Sequence, residues 1–109
     1  MDITEDRKPD AVVLALSGRL DALSAKTFED KIFAVIAGGA QRLVVDLGQL
    51  EYVSSSGLRV FLLAAKRLQS TDRKIVLCSL REHVRQVFDL AGFSSILSIS
   101  GSRDDALKP

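Results

Sequence analysis

The chain predicts a small α/β domain, built on a mixed, mostly parallel sheet of about five strands with three to four helices. Apolar, β-branched runs at Ala11–Leu16, Leu43–Leu47 and Lys74–Cys78 alternate with stretches whose apolar residues recur at helical spacing. Each passage between them is punctuated by Gly, Ser, Asp or Pro. With 109 residues, the chain is long enough to bury one continuous core without metal or disulfide staples.

The weak strand Ile3–Arg7 and the strong one Ala11–Leu16 flank Lys8-Pro9-Asp10 and read as a hairpin. Phe28, Ile32, Val35 and Ile36, behind Ala25, then mark the buried stripe of a first helix that Gly38-Gly39 stops. Leu43–Leu47 is the next strand, followed by a short loop holding Leu50 and Tyr52. Leu58, Phe61, Leu62, Ala65 and Leu68 line one face of a second helix, with Arg59, Lys66 and Arg67 on the other; Ser70-Thr71-Asp72 ends it. After the strand Lys74–Cys78, Ser79 and Glu82 have capping-box spacing. They precede a helix lined by Leu80, Val84, Val87 and Phe88 and closed by Gly92. A last strand, Ile96–Ile99, leads into a polar tail over 102–109 with little to bury beyond a short helix. The order strand, strand, helix, strand, helix, strand, helix, strand makes the later strands parallel and the hairpin an antiparallel edge.

Fifteen Lys and Arg balance fourteen Asp and Glu to a net charge of +1, and the charges are dispersed. That argues against nucleic acid, whose phosphates call for a concentrated basic footprint. The apolar runs are too short to cross a bilayer, and the acidic Met1–Asp6 segment is unlike a secretory leader, so no membrane association and a cytoplasmic location are expected. Cys78, the one cysteine, lies in a core strand and reads as an inert buried thiol. His83, the one histidine, has neither a second histidine nor a cysteine beside it to make a metal site, and it is read as lying within a helix. No Gly-x-Ser-x-Gly elbow, P-loop or dinucleotide fingerprint is present. Neither an enzyme nor a cofactor is expected.

The chemistry concentrates at Ser54-Ser55-Ser56-Gly57, between a strand and a helix start. Unpaired amides and the positive end of the helix dipole make such a place receptive to an anion. A serine there can equally be a plain N-cap. If the first two long strands are neighbours, Asp21 of Gly18-Arg19-Leu20-Asp21 shares the rim with the serines. A phosphoryl group on Ser55 would meet helix amides, and Arg59, four residues on, could reach back to it.

Gly18-Arg19-Leu20-Asp21, Leu43-Val44-Val45-Asp46-Leu47, Tyr52-Val53-Ser54-Ser55-Ser56-Gly57-Leu58-Arg59 and Val84–Phe93 together resemble the STAS domain of bacterial anti-sigma factor antagonists, over nearly the whole chain. The resemblance implies a partner-switching regulator. Its partner would be an anti-sigma factor that is also a serine kinase of the histidine-kinase-like ATPase fold. Phosphorylation of one serine, aligned with Ser55, would break that complex, and a serine phosphatase would restore it. Asp21 matches the family aspartate beside the partner surface; Ser56 and Gly57 match the helix start. The sequence departs from the pattern at Ser54, where the sporulation and stress-response members carry aspartate. The alternative is an unswitched STAS subunit of a lipid-transport or signalling assembly, holding its partner through the Ser54-to-Arg59 rim.

Overall fold

The computed structural model describes residues 1–108, the Ser94 side chain aside; Pro109, at the end of the polar tail, lies outside them. Strands β1 (Asp2–Arg7), β2 (Ala11–Leu20), β3 (Arg42–Val53), β4 (Lys74–Cys78) and β5 (Ser98–Ser100) form one sheet in sequential order. β1 runs antiparallel to β2, and every other pair is parallel. The crossovers carry helices α1 (Ala22–Ala37), α2 (Ser55–Gln69) and α3 (Glu82–Leu90). Right-handed crossovers that always step in the same direction place their helices on one face. That face holds the main core: Leu14, Leu16, Leu43, Val45, Leu47 and Leu77 from the sheet meet Phe28, Ile32, Phe61 and Phe88 from the helices. Phe28, Phe61, Phe88 and Phe93 form a chain of tilted and edge-to-face rings with centroids 5.0, 5.2 and 5.9 Å apart, tying the helical layer together.

The opposite face is covered by the short helix α4 (Arg103–Leu107), whose Ala106 is buried against Val13, Val44, Val76 and Cys78. The polar tail therefore does bury a residue. Ser102 caps α4 by accepting from the Asp105 amide, and the Arg103 guanidinium anchors it to the Asp46 carboxylate at 3.0 Å. Cys78 is fully buried beneath it, and burial, reinforced by the negative charge of Asp46, pushes the thiol pKa upward.

The structure corrects the sequence reading at several places, the first being β2, which runs on to Leu20 where the sequence reading ended it at Leu16. β3 runs through Val53, so Leu50 and Tyr52 belong to a strand rather than a loop. Its pairing with β2 carries two register shifts: Ala15 and Ser17 face Asp46 and Gln49, then Gly18 and Arg19 face Leu50 and Tyr52. Each shift inserts one extra residue into β3, a bulge that breaks the two-residue alternation. The buried Leu47, Leu50 and Val53 are consequently spaced by three. Asp46 holds the first bulge by accepting from the Gly48 amide at 2.9 Å.

Ser79 does not cap α3. It sits at φ +62, its amide donating to the Ser100 carbonyl, and Arg81 occupies the N-cap position without a side-chain cap. α3 thus begins at Glu82, which puts His83 at the start of the helix rather than farther inside it, with Nε2 2.7 Å from the Glu51 carbonyl. The final strand is shorter than expected and shifted, since burial of Phe93 against Phe88 draws Phe93–Ser95 into a 3-10 turn before β5.

Gly57, buried in the first turn of α2, is where helix and sheet meet most closely. A Cβ there would lie 2.7 Å from Leu20 Cγ and 3.1 Å from Val53 Cγ2. Leu20 is fully buried and has nowhere to turn. Alanine is the better helix former by about 1 kcal/mol, but overpacking a closed site costs about 1–3 kcal/mol. Gly57→Ala is expected to lower stability by about 1–2 kcal/mol in urea unfolding, against its helix propensity; a rise in stability would show that the seam is loose.

Candidate functional site

The paired ends of β2 and β3 bring two helix N-termini side by side. Leu20 faces Val53, and the next amide along, Ser54 N–H, donates to the Leu20 carbonyl at 2.8 Å. Asp21 and Ser54 are therefore the N-caps of α1 and α2 on one rim, as expected if the strands are neighbours.

Asp21 is committed to capping. Its Oδ1 accepts from the amides of Leu23 (3.1 Å) and Ser24 (3.0 Å), while Ser24 Oγ accepts from the Asp21 amide at 2.9 Å, a reciprocal capping box. The Ser24 amide, followed by its hydroxyl, holds the Asp21 carboxyl below the ordinary carboxylate pKa.

Ser54 is committed in the same way. Its Oγ accepts from the Gly57 amide at 3.1 Å, and its carbonyl takes the first intrahelical bond from Leu58 at 2.9 Å. A serine thus performs the capping that aspartate would perform, without the charge. Ser55 and Ser56 follow as the first two residues of α2; both are exposed, and neither hydroxyl has a partner among the described residues. Their amides are among those a helix start leaves unpaired. Arg59 is exposed, one turn beyond Ser55, and makes no ion pair or hydrogen bond among the described residues. The structure therefore gathers Asp21, Ser54, Ser55, Ser56 and Gly57 at one rim, with Gly57 buried under it and Arg59 on its shoulder.

The rim holds further residues that the sequence reading passed over. The Arg19 guanidinium stacks 4.2 Å from the centre of the Tyr52 ring, and Tyr52 is 39% exposed. Leu23, in the first turn of α1, is 90% exposed. The signal for Leu23 is its phase: it falls outside the stripe Ala25, Phe28, Ile32 and Val35. His83 borders the rim through Glu51. Two carboxylates are already engaged: Asp21 as a cap, and Asp46 by Arg103 and Gly48. Among the described residues, no group of three metal-ligating side chains converges, and no helix is long and apolar enough to cross a membrane.

Such a surface defines a small α/β binding domain that presents a hydroxyl at a helix start beside stacked and exposed apolar side chains. The chain belongs to the STAS-domain anti-sigma factor antagonist family: the STAS domain model matches residues 2–106. It is 41% identical over 106 residues to BtrV of Bordetella bronchiseptica, which carries the name of an anti-sigma factor antagonist, covering 97% of this chain and 91% of that protein. An anti-sigma factor antagonist from Mycobacterium paratuberculosis has a similar structure, with TM-score 0.90 at 25% identity over 97% of this chain and 90% of the other. The fold also matches the anti-sigma factor antagonist SpoIIAA in its unphosphorylated form (TM-score 0.83, 22% identity, 97% and 93% covered) and the Bacillus SpoIIAA in its phosphorylated form (TM-score 0.76, 21% identity, 97% and 96% covered).

The lowered pKa of Asp21 has a consequence for stability. Its carboxylate stabilises the fold at pH values above its ordinary pKa of 3.8, and that contribution fades as pH falls through the lower folded-state value. Asp21→Ala is expected to lower the urea midpoint by roughly half a molar near neutral pH and to remove part of the acid-dependent loss of stability. An unchanged midpoint at both pH values would remove Asp21 as the cap of α1.

Proposed function

We propose that this protein is a cytoplasmic anti-sigma factor antagonist that works by partner switching. In its unmodified form the rim around Ser55 binds an anti-sigma factor, itself a serine kinase of the histidine-kinase-like ATPase fold, and so releases a sigma factor. Phosphorylation of Ser55 ends the complex, and a serine phosphatase restores it. The domain acts by binding and takes no cofactor.

The observation that carries this reading is the division of labour between the capping Ser54 and the exposed Ser55 beside it, the serine on which the resemblance places the acceptor. Ser54 Oγ is occupied in capping, so modifying it would remove the Gly57 bond. Ser55 stands at the first helical position with its hydroxyl exposed and unpartnered among the described residues. A phosphoryl group there adds about −1.5 to −2 charges at the positive end of α2, where helix amides can accept it and nothing in the core must move. Arg59, on the same helix face one turn on, has a guanidinium free to approach it. That SpoIIAA has this fold in its phosphorylated form supports the same point. The damage falls on the partner: a surface complementary to Tyr52, Leu23 and a neutral Ser55 meets a desolvated double charge.

Ser54 in place of the family's aspartate favours the second reading, an unswitched STAS subunit of a lipid-transport or signalling assembly, because it removes a charge beside the acceptor. Incubation with the cognate kinase and ATP, followed by mapping the modified residue by mass spectrometry, separates the two. Ser55→Asp is expected to shift the unfolding temperature by no more than about 3 °C while weakening the kinase complex at least about tenfold; Ser55→Ala is expected to bind constitutively. Unfolding of the acidic variant would contradict the helix-terminus reading, and an unmodified Ser55 would favour the unswitched subunit.

A further inference from the structure

At the far end of α2 from the serines, about 20 Å along the helix axis, a groove of about 530 Å³ opens between the last turns of α2, the start of β4 and the 3-10 turn before β5. Leu62, Leu68 and Ile75 form its floor, and Ile96, 51% exposed, stands on its edge. Three cations line it: Lys66, Arg73 and Lys74. Lys66 and Lys74 have no carboxylate partner among the described residues, and the Arg73 guanidinium donates to the carbonyls of Ala40 and Ile36 at the end of α1, whose partial negative charge offsets part of its own. Among the described residues, no Asp or Glu lines the groove. In a chain whose net charge is only +1, this is a local excess of positive charge over an apolar floor.

A second hollow, of about 480 Å³, shares Ser95, Ile96 and Ser98 with the first and adds Ile99 and Arg85. Arg85 pairs with Asp89 at 3.8 Å. β5 is the outermost strand on this side. The Ser100 carbonyl accepts from Ser79 on the β4 side, and backbone groups alternate along a strand, so the amide and carbonyl of Ile99 face away from β4. Among the described residues, the sheet thus offers the unpaired amide and carbonyl of Ile99 beside an apolar, cationic groove.

We infer that this groove is a second docking surface, taking an extended acidic segment of a partner protein with an aliphatic residue seated against Leu62, Ile75 and Ile96. Charge complementarity selects an acidic occupant, and the free edge of β5 favours an extended one. Nucleic acid fits less well, because among the described residues no aromatic side chain lines the groove for bases to stack on. Its distance from Ser55 lets this surface stay occupied whichever state the serine is in, so the inference stands apart from the switching proposal.

The test uses the isotope-labelled full chain titrated with the peptide acetyl-Glu-Asp-Glu-Leu-Glu-Asp-Glu-amide, its leucine-to-serine analogue, and an oligothymidylate. The acidic peptide is expected to give saturable amide shifts at Ile75, Ile96 and Ser98 and none at Ser54–Arg59. The serine analogue should bind at least about threefold more weakly, and Lys66→Glu with Lys74→Glu should weaken the parent peptide about tenfold or more. Both lysines are exposed, so a circular dichroism melt serves as the folding control, and the analogue reads the apolar pocket on the unaltered protein. Shifts that fail to saturate, that move to the serine rim, that ignore the leucine, or that the oligothymidylate reproduces would overturn the inference.

Discussion

The seam between Leu20 and Gly57 is the constraint on which the rest of the structure depends. β2 and β3 must stay paired to their last residues for Leu20 to lie against Val53, and only then does the Ser54 amide find the Leu20 carbonyl at 2.8 Å. The missing side chain at residue 57 lets α2 start directly on top of that pair, with less than 3 Å between a would-be Cβ and Leu20. Two bulges in β3 supply the extra length and twist that bring its end to this point. Loosen the seam and both N-caps lose their fixed separation, and with it the single rim that holds Asp21, Tyr52 and the serines.

Rigidity at the seam is what frees Ser55. Each helix start is secured by the residue before it, Asp21 for α1 and Ser54 for α2, through bonds to backbone amides. The next residue, Ser55, inherits a helical backbone and a favourable electrostatic position but no structural duty. The Phe28–Phe61–Phe88 stack and the Ala106 patch on the other face do not involve it, so the proposed charge at Ser55 would leave them in place. The Arg19–Tyr52 stack and exposed Leu23 flank it with contact area that loses little conformational freedom on binding. On the proposed reading, affinity and switching would belong to neighbouring but separate side chains.

The α/β class, the antiparallel edge and the three crossover helices are legible in the sequence because their apolar residues keep regular periods. The same dependence on period explains what is not legible. Leu47, Leu50 and Val53 are buried at intervals of three, which breaks the alternation of a strand, so the bulged end of β3 does not read as one. Ser79 and Glu82 have capping-box spacing, yet Ser79 is drawn to φ +62 by its bond into the β5 ladder, a long-range demand that overrides the local one. A short helix in the tail is expected from the sequence, but its docking is not legible there, because one buried alanine, Ala106, and one cross-sheet ion pair from Arg103 are enough to seat the five-residue α4. The positions of Asp21 and the serine triplet were legible as strand-to-helix turns. Their adjacency depends on strand order, and Arg19 over Tyr52 depends on the second register shift, which no local pattern announces.

Amide hydrogen exchange at Ser54, in the native protein and in Ser55→Asp, probes the seam most directly. If strand pairing extends through Val53 and the Ser54 amide is held by the Leu20 carbonyl, that amide exchanges slowly in both proteins, with protection approaching that of the central strands. Rapid, loop-like exchange at Ser54 in the native protein would contradict the sealed junction, and rapid exchange only in Ser55→Asp would contradict the separation of switching from folding.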